Sequence, residues 1–135
     1  MKKDNNEKGD NMCAILLSIN PQYVERIMCG EKKFEFRKNV CKRNVDKIVI
    51  YSTSPVMKVV GEAEVEEVLV DEPQKIWNVT EEYSGVEREF FEEYYEGREQ
   101  AVAYKLKGVI KYEKPKKLEE YGVKNAPQSF CYLNE

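Results

Sequence analysis

The chain has 135 residues, 22 basic and 25 acidic, for a formal net charge of −3, and its 41% hydrophobic content supports one modest core. Proteins that clamp a long nucleic-acid backbone carry a basic domain, so extended duplex DNA is disfavoured, while a short single strand or one nucleotide-sized ligand stays open. There is no histidine, which removes Ser-His-Asp and Cys-His catalysis and the ordinary histidine-ligated zinc site, leaving Lys, Glu, Asp, Tyr and Cys for acid–base work.

In chain order, residues 1–11 are polar and charged; they read as a disordered lead-in and not as a secretory signal. Residues 12–135 are expected to form one domain. Residues 12–19 (MCAILLSI) are a nearly continuous apolar run, the mark of a buried strand. Asn20-Pro21 then supplies an N-cap and a proline at the first helical turn. Val24, Ile27 and Met28 fall on one helical face and Gly30 stops the helix, which is expected over 21–29. A strand over 33–37 follows at once. Its alternation puts Lys33, Glu35 and Arg37 on one face and Phe34 and Phe36 on the other, toward the core.

Residues 39–46 form a basic loop carrying Lys42 and Arg43. Residues 47–51 (KIVIY) read as an apolar strand ended by Ser52-Thr53-Ser54-Pro55. Residues 58–70 read as a long strand, bulged near Gly61, with Glu62, Glu64 and Glu66 on a solvated face. Pro73 opens a short helix through Trp77, and residues 86–96 form a helix ended by Gly97. A strand at 100–106 is continued or followed by 108–112, Pro115 starts a short helix, and 127–133 (PQSFCYL) is a closing strand. Strands and helices do not alternate regularly, which argues against a parallel doubly wound sheet. The order fits an α+β fold, a small, mostly antiparallel β-barrel with short helices packed around it.

No apolar run approaches the roughly 18 residues of a membrane-spanning helix, so no membrane partner is expected. Cys13, Cys29, Cys41 and Cys131 form no C-x-x-C, and with no secretion signal they are expected as reduced thiols in a cytoplasmic protein. Cys13, Cys29 and Cys131 read as small buried hydrophobes. No metal site and no cofactor are expected.

The runs LLSINPQYVERIMCGEKKFEFRK, KIVIYSTSP and GEAEVEEV, in this order, resemble the ASCH family of the PUA-like superfamily. Its G-x-K-x-x-E-x-R pattern is met by Gly30, Lys32, Glu35 and Arg37, and FFEEYYEG, AVAYKL and PQSFCYL resemble its C-terminal half. The resemblance covers about residues 13–133 and suggests a small bacterial-type, single-domain member. It implies a PUA-like β-barrel whose cleft, between barrel and first helix, is lined by the signature residues. It also implies binding of RNA or of a nucleotide or modified nucleoside, with links to transcription control and RNA processing. Small bacterial relatives are amidohydrolases on N4-acetylcytidine in which a lysine acts with a threonine and a glutamate. Lys32 matches that lysine, Glu35 stands at the threonine position, and Glu82 and Glu87 lie in the region of the glutamate. Other members are proposed to cleave RNA.

The residues therefore offer three readings: a binding domain for RNA or a nucleotide, a hydrolase using Lys32 with Glu35, and a protein-interaction module in transcriptional control. For ligand contacts the candidates are Lys33, Arg37, Ser52, Thr53, Gln128 and Ser129. Each has a plainer alternative: a solvated charged strand for Lys33 and Arg37, turn chemistry for Ser52 and Thr53, barrel closure for Gln128 and Ser129. Phe90, Phe91, Tyr94 and Tyr95 fit a buried helical stripe better than a base-stacking platform.

Overall fold

A computed structural model describes residues 13–133. The expected lead-in at 1–11 lies outside the described residues. Six strands and three helices follow in the order β1 (Cys13–Ile19), α1 (Pro21–Met28), β2 (Phe34–Arg37), β3 (Val45–Ser52), β4 (Lys58–Asp71), α2 (Pro73–Thr80), α3 (Arg88–Tyr94), β5 (Ala101–Lys116) and β6 (Phe130–Leu133). Short 3-10 turns occupy Glu81–Tyr83 and Leu118–Tyr121.

The strands form one mixed sheet in the order β2-β5-β4-β3-β1-β6. β1 and β3 pair in parallel, and the other pairs are antiparallel. This parallel pair is the product of the crossover through α1 and β2. The fold is α+β as expected, but the expected barrel is not closed: β2 and β6 stand at opposite edges, and no backbone ladder joins them among the described residues.

The apolar runs of β1 and β3 are explained by burial on both faces. Ile15, Leu17, Ile19, Ile48 and Ile50 pack with Val24 and Ile27 of α1 in the main core. Leu16, Val49 and Tyr51 face the opposite side, against Val59, Tyr112, Leu118 and Tyr121. A third cluster joins Phe34 and Phe36 of β2 to Ile76 and Trp77 of α2 and Phe91 and Tyr95 at the end of α3. This last cluster holds β2 against the helices and so fixes the residues around Lys32.

Several local expectations are corrected. Asn20 occupies the N-cap of α1 but makes no side-chain cap; its Oδ1 instead accepts from Thr53 Oγ1 at 3.3 Å. β4 carries the expected irregularity between Val59 and Gly61. Pro115 does not start a helix but lies inside the 16-residue β5. β2 pairs with β5 only at residues 102–105, so the outer edge beside Pro115 has no neighbour needing an N–H. Cys29 is exposed, because it caps α1 on the solvent side, whereas Cys13, Cys41 and Cys131 are half-buried; Cys29, Cys41 and Cys131 are free thiols.

Candidate functional site

The turn between α1 and β2 sets the position of Lys32. Gly30, at φ +91°, lets the chain reverse after α1. The Lys32 amide then donates to the Arg26 carbonyl at 2.9 Å, and that of Lys33 to the Tyr83 carbonyl at 2.8 Å. The Lys32 side chain runs inward and is only 2% exposed. Its Nζ donates to the Ser84 carbonyl at 2.9 Å. The stem lies on Gly85, at φ +70°, where a Cβ would collide with Lys32 Cβ, Cγ and Cδ. The Gly85 carbonyl accepts from Arg26 Nη1 at 2.7 Å, which ties this loop back to α1.

From Lys32 a row of charges crosses the cleft. Lys32 Nζ is 3.8 Å from Glu35 Oε1, and Glu35 Oε2 accepts from Arg37 Nη2 at 2.9 Å. Arg37 also donates to the Ser18 carbonyl and to Ser129 Oγ, each at 3.1 Å, while its Nε is buried with no hydrogen-bond partner. The Lys32 ammonium stands 4.7 Å from the Phe36 ring centre and 5.7 Å from that of Tyr23. Burial lowers the Lys32 pKa from 10.5 to about 8; Glu35 opposes the fall, and Arg37 and Arg26 add to it. Lys32 is thus an ammonium at neutral pH and becomes a free amine just above it, able to act as base or nucleophile.

Opposite the charges stands an aromatic wall. Phe90 and Tyr94 of α3 stack with ring centres 5.9 Å apart at 14°, and Tyr23 of α1 lies 5.6 Å from Phe90. These rings, the charged row and Ser18 and Asn20 line an open cavity of about 150 Å³, below the roughly 300–1,000 Å³ of a drug-sized pocket, so it admits one small group of a larger ligand. The expected core stripe on α3 is therefore split. Phe91 and Tyr95 are core residues, whereas Phe90 and Tyr94, one helical step earlier, face the cleft.

The sequence-predicted residues divide accordingly. Lys32, Glu35 and Arg37 converge on the cleft. Lys33 does not share their face: β2 begins only at Phe34, and Lys33 turns outward with its Nζ 4.3 Å from the Tyr83 ring. Ser52 is buried at the end of β3 and does not line the cleft. Thr53 does not line it but bonds to two residues that do, its Oγ1 donating to Asn20 Oδ1 and its amide to the Ile19 carbonyl at 3.0 Å. Ser129 is held by Arg37, and the neighbouring Gln128 is exposed. Glu82 and Glu87 are exposed and lie outside the cleft, so Glu35 is the one carboxylate lining it among the described residues. Sequence reasoning missed Ser18, Asn20 and Tyr23. Tyr23 carried a signal: at i−4 from Ile27 it borders the apolar face of α1 with a polar tip.

Comparisons with known proteins agree with this architecture. The chain is 33% identical over 121 residues to large ribosomal subunit protein uL22 of Ureaplasma parvum serovar 3, an overlap of 89% of this chain and 39% of that protein. The chain thus spans about two-fifths of the length of that curated relative. It is 28% identical over 93 residues to an ASCH domain-containing ribonuclease of Zymomonas mobilis, covering 68% of this chain and 63% of the relative. The crystal structure of ASCH from Zymomonas mobilis superposes with a TM-score of 0.82 at 25% identity, covering 90% of this chain and 88% of that one. The ASCH domain family model matches residues 17–123, a span that contains the Gly30, Lys32, Glu35 and Arg37 pattern and both walls of the cleft, and the chain belongs to the ASCH domain family.

Proposed function

We propose that this domain binds single-stranded RNA and takes one base of it into the cleft. The observation that carries this reading is the pairing, in one cavity, of an aromatic wall with the Lys32–Glu35–Arg37 row. Stacked rings suit a base face, and arginine's forked donors suit a phosphate or a base carbonyl. Family membership and the ribonuclease name of the Zymomonas relative support an RNA ligand.

The test is a titration of fluorescent single-stranded RNA oligomers against the wild-type chain, Lys32→Ala and Arg37→Ala, with circular dichroism as the fold control. The expected result is binding that each substitution weakens about tenfold or more, the scale of a lost charge-assisted hydrogen bond. Equal affinity in all three proteins overturns the reading.

A second reading, RNA cleavage, is favoured by the lowered Lys32 pKa. The Lys32 amine would take the proton of a ribose 2′-hydroxyl, the 2′-oxygen would attack phosphorus, and the P–O5′ bond would break, the 5′-oxygen taking a proton from water, with Arg37 beside the gathering negative charge. Cleavage would rise with pH to a plateau above about 8. Lys32→Arg, which stays protonated, would lose it by a factor of about 10² or more. The acetylcytidine amidohydrolase reading has less support: position 35 is a glutamate paired to Arg37, and Glu82 and Glu87 stand outside the cleft.

A further inference from the structure

Beyond the cleft, the loop from β2 to β3 is unusual in charge. From residue 37 to 43 it carries Arg37, Lys38, Lys42 and Arg43 and no acidic residue, in a chain of formal net charge −3. It leaves from the cleft: Arg37, the last residue of β2, lines the cavity, and Lys38 Nζ stands 4.9 Å from the ring of Tyr94, which also lines it. The loop is held from both sides. Arg98 Nη2 donates to Asn39 Oδ1 at 3.0 Å and reaches the Lys38 carbonyl at 3.5 Å. The Tyr132 hydroxyl accepts from the amides of Lys42 and Arg43 at 3.1 and 3.3 Å, and the Arg43 guanidinium lies 4.3 Å from the Tyr132 ring.

These cations are exposed. Lys38, Lys42, Arg43 and Arg98 join no carboxylate in an ion pair among the described residues, whereas Lys47, Arg88 and Lys105 do. The outer side of α3, beyond the aromatic wall, carries exposed Glu89 and Glu93, with Glu92 paired to Arg88. A polyanion entering the cleft is therefore repelled from the α3 side and attracted along the loop.

We propose that loop 38–43, with Arg98, is a phosphate track. It would hold the backbone of a single RNA strand while one base of that strand occupies the cleft, so that the ligand is a stretch of strand and not a free nucleoside. This rests on the RNA-binding reading above. The loop's order before binding lowers the entropic cost of presenting its charges.

The test uses the full chain and two probes, a mixed-sequence single-stranded hexaribonucleotide and the four free ribonucleosides. The protein forms are wild type, the triple variant Lys38→Ala/Lys42→Ala/Arg43→Ala, and the control Lys107→Ala/Lys111→Ala/Lys114→Ala, which removes three exposed cations from β5. Wild type is expected to bind the hexamer at least tenfold more tightly than any nucleoside. The loop variant should lose about tenfold or more for the hexamer, and its log K against log salt slope should fall by about 2, as for three phosphate contacts on a single strand. Its nucleoside affinity and the hexamer affinity of the control should stay at wild-type values. Undiminished hexamer binding by the loop variant, or an equal loss in the control, overturns the track and leaves the cleft reading standing. Failure of wild type to bind either probe overturns both.

Discussion

Gly85 lies directly against the side-chain stem of Lys32, with no room for a Cβ between them. Its φ of +70° is also one that residues with a side chain rarely adopt. Gly85→Ala is therefore expected to cost about 2–4 kcal/mol, the sum of backbone strain and overpacking. The Lys32 ammonium should move off the Ser84 carbonyl at the same time. Urea denaturation measures the first effect and RNA affinity the second; an alanine variant unchanged in both would show that the loop yields freely.

Burying Lys32 opposes folding at neutral pH. Its folded pKa of about 8 lies below the ordinary 10.5, so the unfolded chain holds the proton more tightly. Below pH 8 both states are protonated and the cost, about 3 kcal/mol, is present in full. Between pH 8 and 10.5 the unfolded state binds more protons, so this group's contribution to stability improves as pH rises. Lys32→Met is expected to be more stable than wild type at pH 7, by up to about 3 kcal/mol less the lost bond to Ser84, with the advantage shrinking toward pH 10. Paired denaturation curves at pH 7 and pH 10 test this, and a variant that is less stable at pH 7 refutes it.

Glu35 is the counter-charge between two cations. In Glu35→Gln, Lys32 loses the attraction that raises its pKa while Arg37 and Arg26 continue to lower it. The Lys32 pKa should fall below 8, followed by NMR of its side chain. Stability at neutral pH should drop by about 3 kcal/mol, as when one partner of a buried pair is removed. An unchanged Lys32 pKa would mean that Glu35 serves Arg37 alone.

Phe90 and Phe91 are neighbours in sequence with opposite duties. Phe91 is 3% exposed and packs on Phe36, Trp77 and Tyr95, so Phe91→Ala should cost about 3–5 kcal/mol. Phe90 is 41% exposed, so Phe90→Ala should cost about 1 kcal/mol or less yet weaken RNA binding by about tenfold. Thermal melts and RNA titrations of both variants distinguish them; equal destabilisation would place Phe90 in the core.

The sequence made some of this legible because single physical causes dominate there. Double-sided burial writes β1 and β3 as apolar runs, and Pro21 and Gly30 bracket α1. The charged row was legible from Glu35 and Arg37, since β2 does alternate. Lys33 was misplaced because the alternation starts one residue later, at Phe34, and Lys32 is aimed inward by the turn instead. The aromatic wall was obscured because helical spacing relates Phe90 to Tyr94 as it relates Phe91 to Tyr95. Which pair is buried depends on the sheet beneath α3, a tertiary fact. Barrel closure likewise depends on the spacing of β2 and β6, which no local pattern encodes.

Arg37 also bears on self-association. β2 and β6 each have one edge with no strand beside it among the described residues, the kind of edge that recruits strands from other molecules. The Arg37 side chain fastens to the Ser18 carbonyl and Ser129 Oγ, placing a charge where the end of β2 approaches the segment before β6. The residue poised to meet a ligand, with 15% of its side chain exposed, thus also ties these two margins together. Replacing it with an apolar residue should leave a protein that clumps as its concentration rises, visible by light scattering, even before any RNA is added.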